Sequence, residues 1–379
     1  FSDEIKANFK DEEEPKREVC IAGRIMSRRI MGKASFMELK DSQGRIQVYV
    51  SRDEICPNED KELYNTVFKK LLDIGDFVGI KGYVFRTQMG EISVHARELK
   101  VLAKTLRPLP EKFHGLQDTE AKYRYRYLDL LSDGESWKRF QLRTALIREI
   151  RRFLDQHGFD EVETPILQSV PSGAAAKPFA THHNALDIPL FLRIAPETYL
   201  KRCIVGGYEK VYEFAKCFRN EGIDPSHLQE FTMLEYYAAY WNFEDNMDFT
   251  EKMIKAVLKK MLGGLQVDTI DRDGNIQVID FGGEWPRLNF VELIKKDCGI
   301  DILEHYGNAP SLLAAIRKMG LQIEKAETMG YGNLCDALYK KVSRPGLIQP
   351  CFVIKHPVDT KPLARRNDTD PRLADTFQL

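Results

Sequence analysis

Residues 210–237 read KVYEFAKCFRNEGIDPSHLQEFTMLEYY, and the side chains able to do chemistry recur there at every second position. In an extended run, period two places Glu213, Ala215, Cys217 and Arg219 on one face, and in a second run Phe231, Met233, Glu235 and Tyr237. The polar stretch 220–229 between them, with Gly222 and Pro225, makes the pair a hairpin with a long loop. If the two faces coincide, a guanidinium, an aromatic ring, a carboxylate and a phenol line one concave surface. A planar guanidinium pairs two phosphate oxygens at once, and a carboxylate deeper on the same face suits a cationic group. On pattern alone a second reading stays open, in which Arg219 forms a buried salt bridge with a neighbour. Tyr212, Phe214, Phe218 and Leu234 fall on the opposite face, where they can pack on helices.

The surrounding segments supply those helices. Leu142, Leu146, Ile150, Phe153 and Leu154 have helical spacing, which predicts a helix from Ser136, as N-cap, to His157, with Gly158 as the stop. PETYLKRCIV and EDNMDFTEKMIKAVLKKML read as helices, and PLFLRIA, KVYEFAKCFR and EFTMLEYYAAY as strands. Antiparallel strands with helices interspersed predict an α+β domain over residues 136–379. Within it, residues 265–345 read as a mostly peripheral insert. His182 and His183 invite a metal reading. Adjacent side chains in an extended segment point opposite ways, however, and no further ligand follows at suitable spacing, so a structural role is expected.

Residues 18–106 have a different texture: VCIAGRIMSRR, ASFMELKD, GRIQVYV, DFVGIKGYVFRT and EISVHARELKVL, with turn signals at DSQG and TQMG and a helical insert at 61–75. Five short strands with one helix predict a small closed barrel of oligonucleotide-binding (OB) size. Residues 1–17 are charged and poor in apolar positions, and are expected to form a mobile lead-in. RPLPEKFHG opens a stiff linker over 107–135. In the barrel, Arg24, Arg28, Arg29 and Lys33 cluster near Phe36, the combination with which such barrels hold single-stranded bases. Gln47 can read a base edge and Glu91 can accept from a base N–H. The competing reading makes Phe36 barrel core and leaves the charges solvated.

Global properties narrow the class. The net charge is −1, so a nucleic-acid site must be a local patch. The seven scattered cysteines form no CxxC pair, which predicts reduced thiols and a cytoplasmic setting over a disulfide frame or zinc site. No apolar run reaches the roughly 20 residues of a membrane span.

FRNEG followed by EFTMLEYY resembles motif 2 of the class II aminoacyl-tRNA synthetases, in particular the lysyl type. RRFLDQHGFDEVETPIL (151–167) is similar to motif 1, which in that family builds the homodimer interface. SGAAAKPFATHHNALD and LRIAPETYLKR resemble the lysine-specific segments, and AGRIMSRRIMGKASFMELKDSQGRIQVYV the anticodon-binding OB barrel. The resemblance implies a barrel followed by an antiparallel sheet flanked by helices. It also implies activation of L-lysine with ATP and Mg²⁺ and transfer to the 3′ end of tRNA(Lys). It gives Arg219 the catalytic role, bridging the ATP α-phosphate and the lysine carboxylate. It gives nucleotide contacts to Glu221, His227 and Phe231, the lysine α-amino group to Gly173 and Glu197, and the ε-ammonium to Glu235 and Tyr237. Arg29, Phe36, Gln47 and Glu91 fall on anticodon-reading positions. The loop DPSHLQ departs from the family's basic, Asn-Pro-containing version, and Ser172 stands where glycine is usual. PLARRNDTDPRLADTFQL is similar to the stretch before the family's magnesium-binding carboxylates and motif 3. No metal ligand is therefore expected within this chain, and the chain as it stands is expected to be inactive. The enzymatic rival is an aspartyl or asparaginyl synthetase; a rival of another class is a non-catalytic RNA-binding module.

Overall fold

The computed structural model describes every residue except 12, 13, 108, 110–115, 175, 225, 226, 272 and 273. Most of RPLPEKFHG (107–115), with which the linker opens, and Pro225 of the hairpin loop therefore lie outside the described residues. The chain forms two compact units, Phe1–Gln141 and Leu142–Leu379.

The first unit is built on a closed barrel of β1 (Glu18–Met31), β2 (Ala34–Lys40), β3 (Arg45–Ser51), β4 (Phe77–Arg86) and β5 (Ile92–Ala103), in the order β1-β2-β3-β5-β4. Neighbours run antiparallel except β3 and β5, which pair parallel. Alternation sorts the residues: Met37, Leu39, Ile46, Val48 and Val50 point inward, while Phe36, Glu38, Gln47 and Tyr49 stay on the outer face. A bulge between Ile25 and Ser27 lets both Ile25 and Met26 be buried. A single helix, Leu63–Leu71, plugs the barrel with Tyr64 and Phe68.

Residues assigned to a mobile lead-in form the helix Ser2–Ala7, because Ile5 enters the barrel core and Ser2 donates from its amide and hydroxyl to Asp41 at 2.7 and 2.8 Å. The sparse apolar content of this segment hid one well-placed isoleucine.

The long helix Gly134–Gln156, whose first residues belong to the first unit and the rest to the second, begins before Ser136. Asp133 does the capping: it accepts from the Glu135 amide at 2.9 Å and from the Ser136 hydroxyl at 3.1 Å. The helix ends at Gly158 as expected, with φ +75°. Short strands β6 (Asp160–Glu161) and β7 (Leu167–Gln168) follow, then β8 (Ala180–His183), β9 (Ile188–Leu192) and the helix Glu197–Val205. The hairpin is β10 (Lys210–Phe218) and β11 (Glu230–Ala238), with β6 parallel to β10 and the helix Glu197–Val205 packed on both hairpin strands. Tyr212, Phe214, Leu234 and Tyr236 turn away from the chemical face onto Phe153, Phe159 and the helix Phe243–Leu262.

Residues 265–345 are not merely peripheral. A hairpin of β12 (Gln266–Ile270) and β13 (Ile276–Asp280) leads to β14 (Arg287–Asn289), which pairs with β15 (Phe352–Pro357) and through it with β16 (Leu373–Gln378). The helices Phe290–Cys298, Ala309–Lys318 and Tyr331–Val342 bury Ile294, Ile316 and Leu338 in one core with Val353 and Leu373. Each helix is only nine to twelve residues long. Their apolar stripes are too brief to read as a shared core without knowing what they face.

Candidate functional site

The β10–β11 register makes the two chemical faces coincide: Cys217 lies opposite Phe231, Ala215 opposite Met233, Glu213 opposite Glu235 and Val211 opposite Tyr237. Arg219, just past β10, continues the ladder by donating its amide to the Gln229 carbonyl at 2.8 Å. Its guanidinium lies 5.0 Å from the Phe231 ring centroid, and its Nε is buried with no hydrogen-bond partner among the described residues. A buried N–H left without an acceptor is costly, so a ligand oxygen there restores what folding removed. Among the described residues Arg219 forms no salt bridge; a buried ion pair is formed by Arg193 instead.

Arg193 and Glu213 are both almost fully buried and pair at 2.6 Å. Thr164 also donates to Glu213, at 2.6 Å, and Arg193 donates to the carbonyls of Thr164 and Lys216 at 3.0 and 2.7 Å. This network fixes the back wall of the face. Sequence reading missed Arg193, although LRIAP places a cation in an otherwise apolar strand, which is a usable signal.

Glu235 has no such partner. It accepts a hydrogen bond from the Tyr237 hydroxyl at 3.1 Å and has no cation in ion-pair range among the described residues. Burial, assisted by the charges of Glu197 and Glu213, holds its carboxyl above the usual carboxylate range, while the Tyr237 hydrogen bond works in the opposite direction. Tyr237 is itself raised, by burial and then by Glu235. The arrangement stores an anion that a cationic ligand group would stabilise. Cys217, on the same face, is pushed up to about 11 by burial, so it stays a thiol.

Gly173 and Glu197 meet at the edge of this face. Gly173 has φ +89°, and a Cβ there would lie 3.2 Å from the Glu197 Cβ, so glycine is needed both for conformation and for space. Ser172 bonds to Thr198 through its hydroxyl at 2.8 Å. Glu197 pairs with Lys201 at 2.7 Å. In the loop, Glu221 accepts from the Lys177 amide at 3.3 Å, which joins the loop to the segment carrying Gly173. His227 is exposed and paired with Asp224 at 2.6 Å. His182 and His183 take structural partners: His182 pairs with Asp187 at 3.0 Å and His183 accepts from the Leu186 amide.

On the barrel, Arg29, Phe36, Gln47 and Glu91 line one open groove of about 990 Å³. Phe36 belongs to the outer face and not to the core, against the reading that made it barrel core. Gln47 accepts from the Ser93 hydroxyl at 2.9 Å, and Lys6 reaches Glu91 at 3.4 Å. Of the clustered cations, Arg24 donates to the Gly75 carbonyl and Arg28 to that of Phe68, so both brace the barrel. Arg29 and Lys33 remain exposed. Among the described residues no helix is long and apolar enough to cross a membrane.

Residues 118–379 match the family model of class II tRNA synthetases (D, K and N), and residues 19–102 match that of the OB-fold nucleic acid binding domain. The chain is similar along its whole length to the lysine–tRNA ligase of Porphyromonas gingivalis (strain ATCC 33277), at 50% identity, and spans 65% of that relative. It is 45% identical to the lysine–tRNA ligase of Serratia proteamaculans and 46% identical to that of Salmonella paratyphi C, again over its whole length and over 74% of each relative. By fold, by site and by these matches, the chain belongs to the class II tRNA synthetases of the D, K and N group.

Proposed function

We propose that the protein activates lysine with ATP and transfers it to the 3′ end of a lysine tRNA. The observation that carries the choice of amino acid is Glu235: a half-buried carboxylate, bonded to a phenol, with no cation in ion-pair range among the described residues. Lysine supplies the missing cation through its ε-ammonium. An aspartyl or asparaginyl substrate would instead need a donor where Glu235 stands. The relatives named above carry the lysine name, which supports the same reading.

In this reading the α-amino group of lysine lies by Gly173 and Glu197, and its carboxylate faces Arg219. A carboxylate oxygen attacks the α-phosphorus of ATP, a new P–O bond forms and pyrophosphate leaves. The tRNA hydroxyl then takes the lysyl group and AMP departs. Arg219 neutralises charge at the α-phosphate, Phe231 stacks on adenine, and Glu221 and His227 contact the nucleotide from the loop. The work is positioning and charge stabilisation, with no covalent enzyme intermediate. Among the described residues no group of three His, Cys, Asp or Glu side chains is placed to hold a metal ion.

Residues 18–106 are assigned to the anticodon, read by Arg29, Phe36, Gln47 and Glu91, residues 107–135 to the linker, and 136–379 to activation. Pairing of two copies through 151–167 is supported by the exposure of Ile166 and Leu167. A cytoplasmic setting agrees with seven free cysteines. The deciding experiment is ATP–pyrophosphate exchange by the full-length protein with lysine, aspartate and asparagine in turn. Exchange driven by lysine alone is expected. Exchange driven by aspartate or asparagine would replace the substrate, and none with any of the three would leave an RNA-binding module.

A further inference from the structure

The helix Glu197–Val205 packs on both strands of the hairpin and carries two charges of opposite sign. Glu197 is its first residue, and Lys201 stands one turn further on, where its Nζ donates to a Glu197 carboxylate oxygen at 2.7 Å. Pairs at this spacing are common on wet helix faces and contribute little there. This one is placed differently. The Glu197 side chain is only 17% exposed, and its Cβ lies 3.2 Å from where a Cβ on Gly173 would stand. The Ser172 hydroxyl bonds to that of Thr198 at 2.8 Å, which ties the Gly173 turn to the same end of the helix.

The charges around this face pair off unequally. Arg193 takes Glu213 and Lys201 takes Glu197, while Glu235 is left for the ε-ammonium. The groups still act on one another. Burial raises Glu235 most, the charges of Glu197 and Glu213 add to the rise, and Tyr237 and Lys201 oppose it. Lysine carries a second ammonium on its α-carbon, and in the lysine reading this group comes to Gly173 and Glu197. A carboxylate has two oxygens and about four acceptor positions, so Glu197 can hold Lys201 and the α-ammonium together. A side chain fixed before the ligand arrives loses little freedom on binding. Without Lys201 the Glu197 carboxylate would turn freely and would face Glu235 with its charge uncompensated.

We propose that Lys201 is a positioning residue of the amino-acid site. Held on Glu197 one helical turn away, it fixes the carboxylate that reads the α-ammonium, and so sets the discrimination against ligands that carry only the ε-ammonium. The proposal rests on the reading of this face as a lysine site.

The test uses 6-aminohexanoate, which is lysine without its α-ammonium, as an inhibitor of lysine-driven ATP–pyrophosphate exchange by the full-length protein at pH 8. In Lys201→Met the lysine KM should rise about 10-fold, an ordinary loss for a charge-assisted contact, while the inhibition constant of 6-aminohexanoate and the ATP KM stay within about twofold. Lys201→Arg should restore most of the lysine affinity, because it keeps the charge. In a Glu197→Gln background Lys201→Met should add nothing. The pH profile is a second readout. With one positive charge fewer nearby, Glu235 takes its proton at higher pH, so the acid limb of kcat/KM for lysine should move upward in Lys201→Met and stay in place in Lys201→Arg. A residue that only braced the helix would lower the melting temperature and leave the ratio of the two ligands and the acid limb where they are, and that result would overturn the proposal. Equal weakening of lysine and 6-aminohexanoate, or tighter lysine binding once Lys201 is replaced, would overturn it too. Should Lys201→Met fail to fold, Lys201→Gln carries the same expectations. Wild-type exchange that lysine does not drive would remove the site reading itself, and the proposal with it.

Discussion

Glu213 and Glu235 are direct partners across the β10–β11 ladder, and of the two only Glu213 meets a cation, Arg193, among the described residues. Two carboxylates brought side by side repel one another. The pair is tolerable because Arg193 neutralises one member, to which Thr164 also donates a hydrogen bond, and the other is left for a ligand.

Glu235→Gln keeps the shape and removes the charge. With the full-length protein in the exchange assay, the lysine KM should rise strongly and ATP binding should change little. A site with an unmatched buried carboxylate should reject norleucine by ~10⁴ or more, and the variant should narrow that gap. An unchanged lysine-to-norleucine ratio would place recognition of the ε-ammonium elsewhere.

Arg219→Ala should lower exchange by ~10²–10³, the usual loss for one preorganised charge contact. Arg219→Lys should recover little, because a point charge cannot reproduce the planar fork. Exchange within threefold of wild type in the alanine variant would refute the role given to Arg219.

Phe36→Ala should weaken anticodon stem-loop binding by about 1–3 kcal/mol while leaving amino-acid activation without tRNA nearly unchanged. Phe36 sits on the outer face, so the melting temperature should hardly move. Equal damage to binding, activation and melting would show a structural part instead.

Arg193→Met leaves Glu213 buried without its cation and should cost about 3–5 kcal/mol in urea denaturation followed by tryptophan fluorescence. The double variant Arg193→Met/Glu213→Leu should recover most of that loss. A single variant as stable as wild type would mean that water reaches Glu213.

His356 is buried against the Phe290 ring at 4.7 Å, and burial lowers it to about 4. Its folded value lies below its unfolded value, so the unfolded chain takes the proton first as pH falls. The stability it supports is complete above about pH 6.5 and is lost progressively down to about pH 4, by up to about 3 kcal/mol. Melting temperatures from pH 7 to 4 should fall less steeply in His356→Gln than in wild type. Parallel curves would assign the acid sensitivity to other groups.

Much of this protein is written locally. Strand alternation sets which side chains share a face, and so the Glu213–Arg219 and Phe231–Tyr237 faces, the five barrel strands and the stop at Gly158 follow from short stretches of residues. The pairing of Phe36 with an outer face needed one more step, because alternation tells which residues lie together but not which side is wet.

Tertiary structure alone decided the rest. Arg193 finds Glu213 twenty positions away, and Phe36, Tyr49, His95 and Tyr83 come side by side from four strands whose order in space is not their order in the chain. The helices after Phe290 carry short apolar stripes whose common core exists only once β15 and β16 stand between them. Periodicity is a property of neighbouring residues, whereas register, ion-pair choice and burial depend on which distant segment arrives, and no local pattern encodes that.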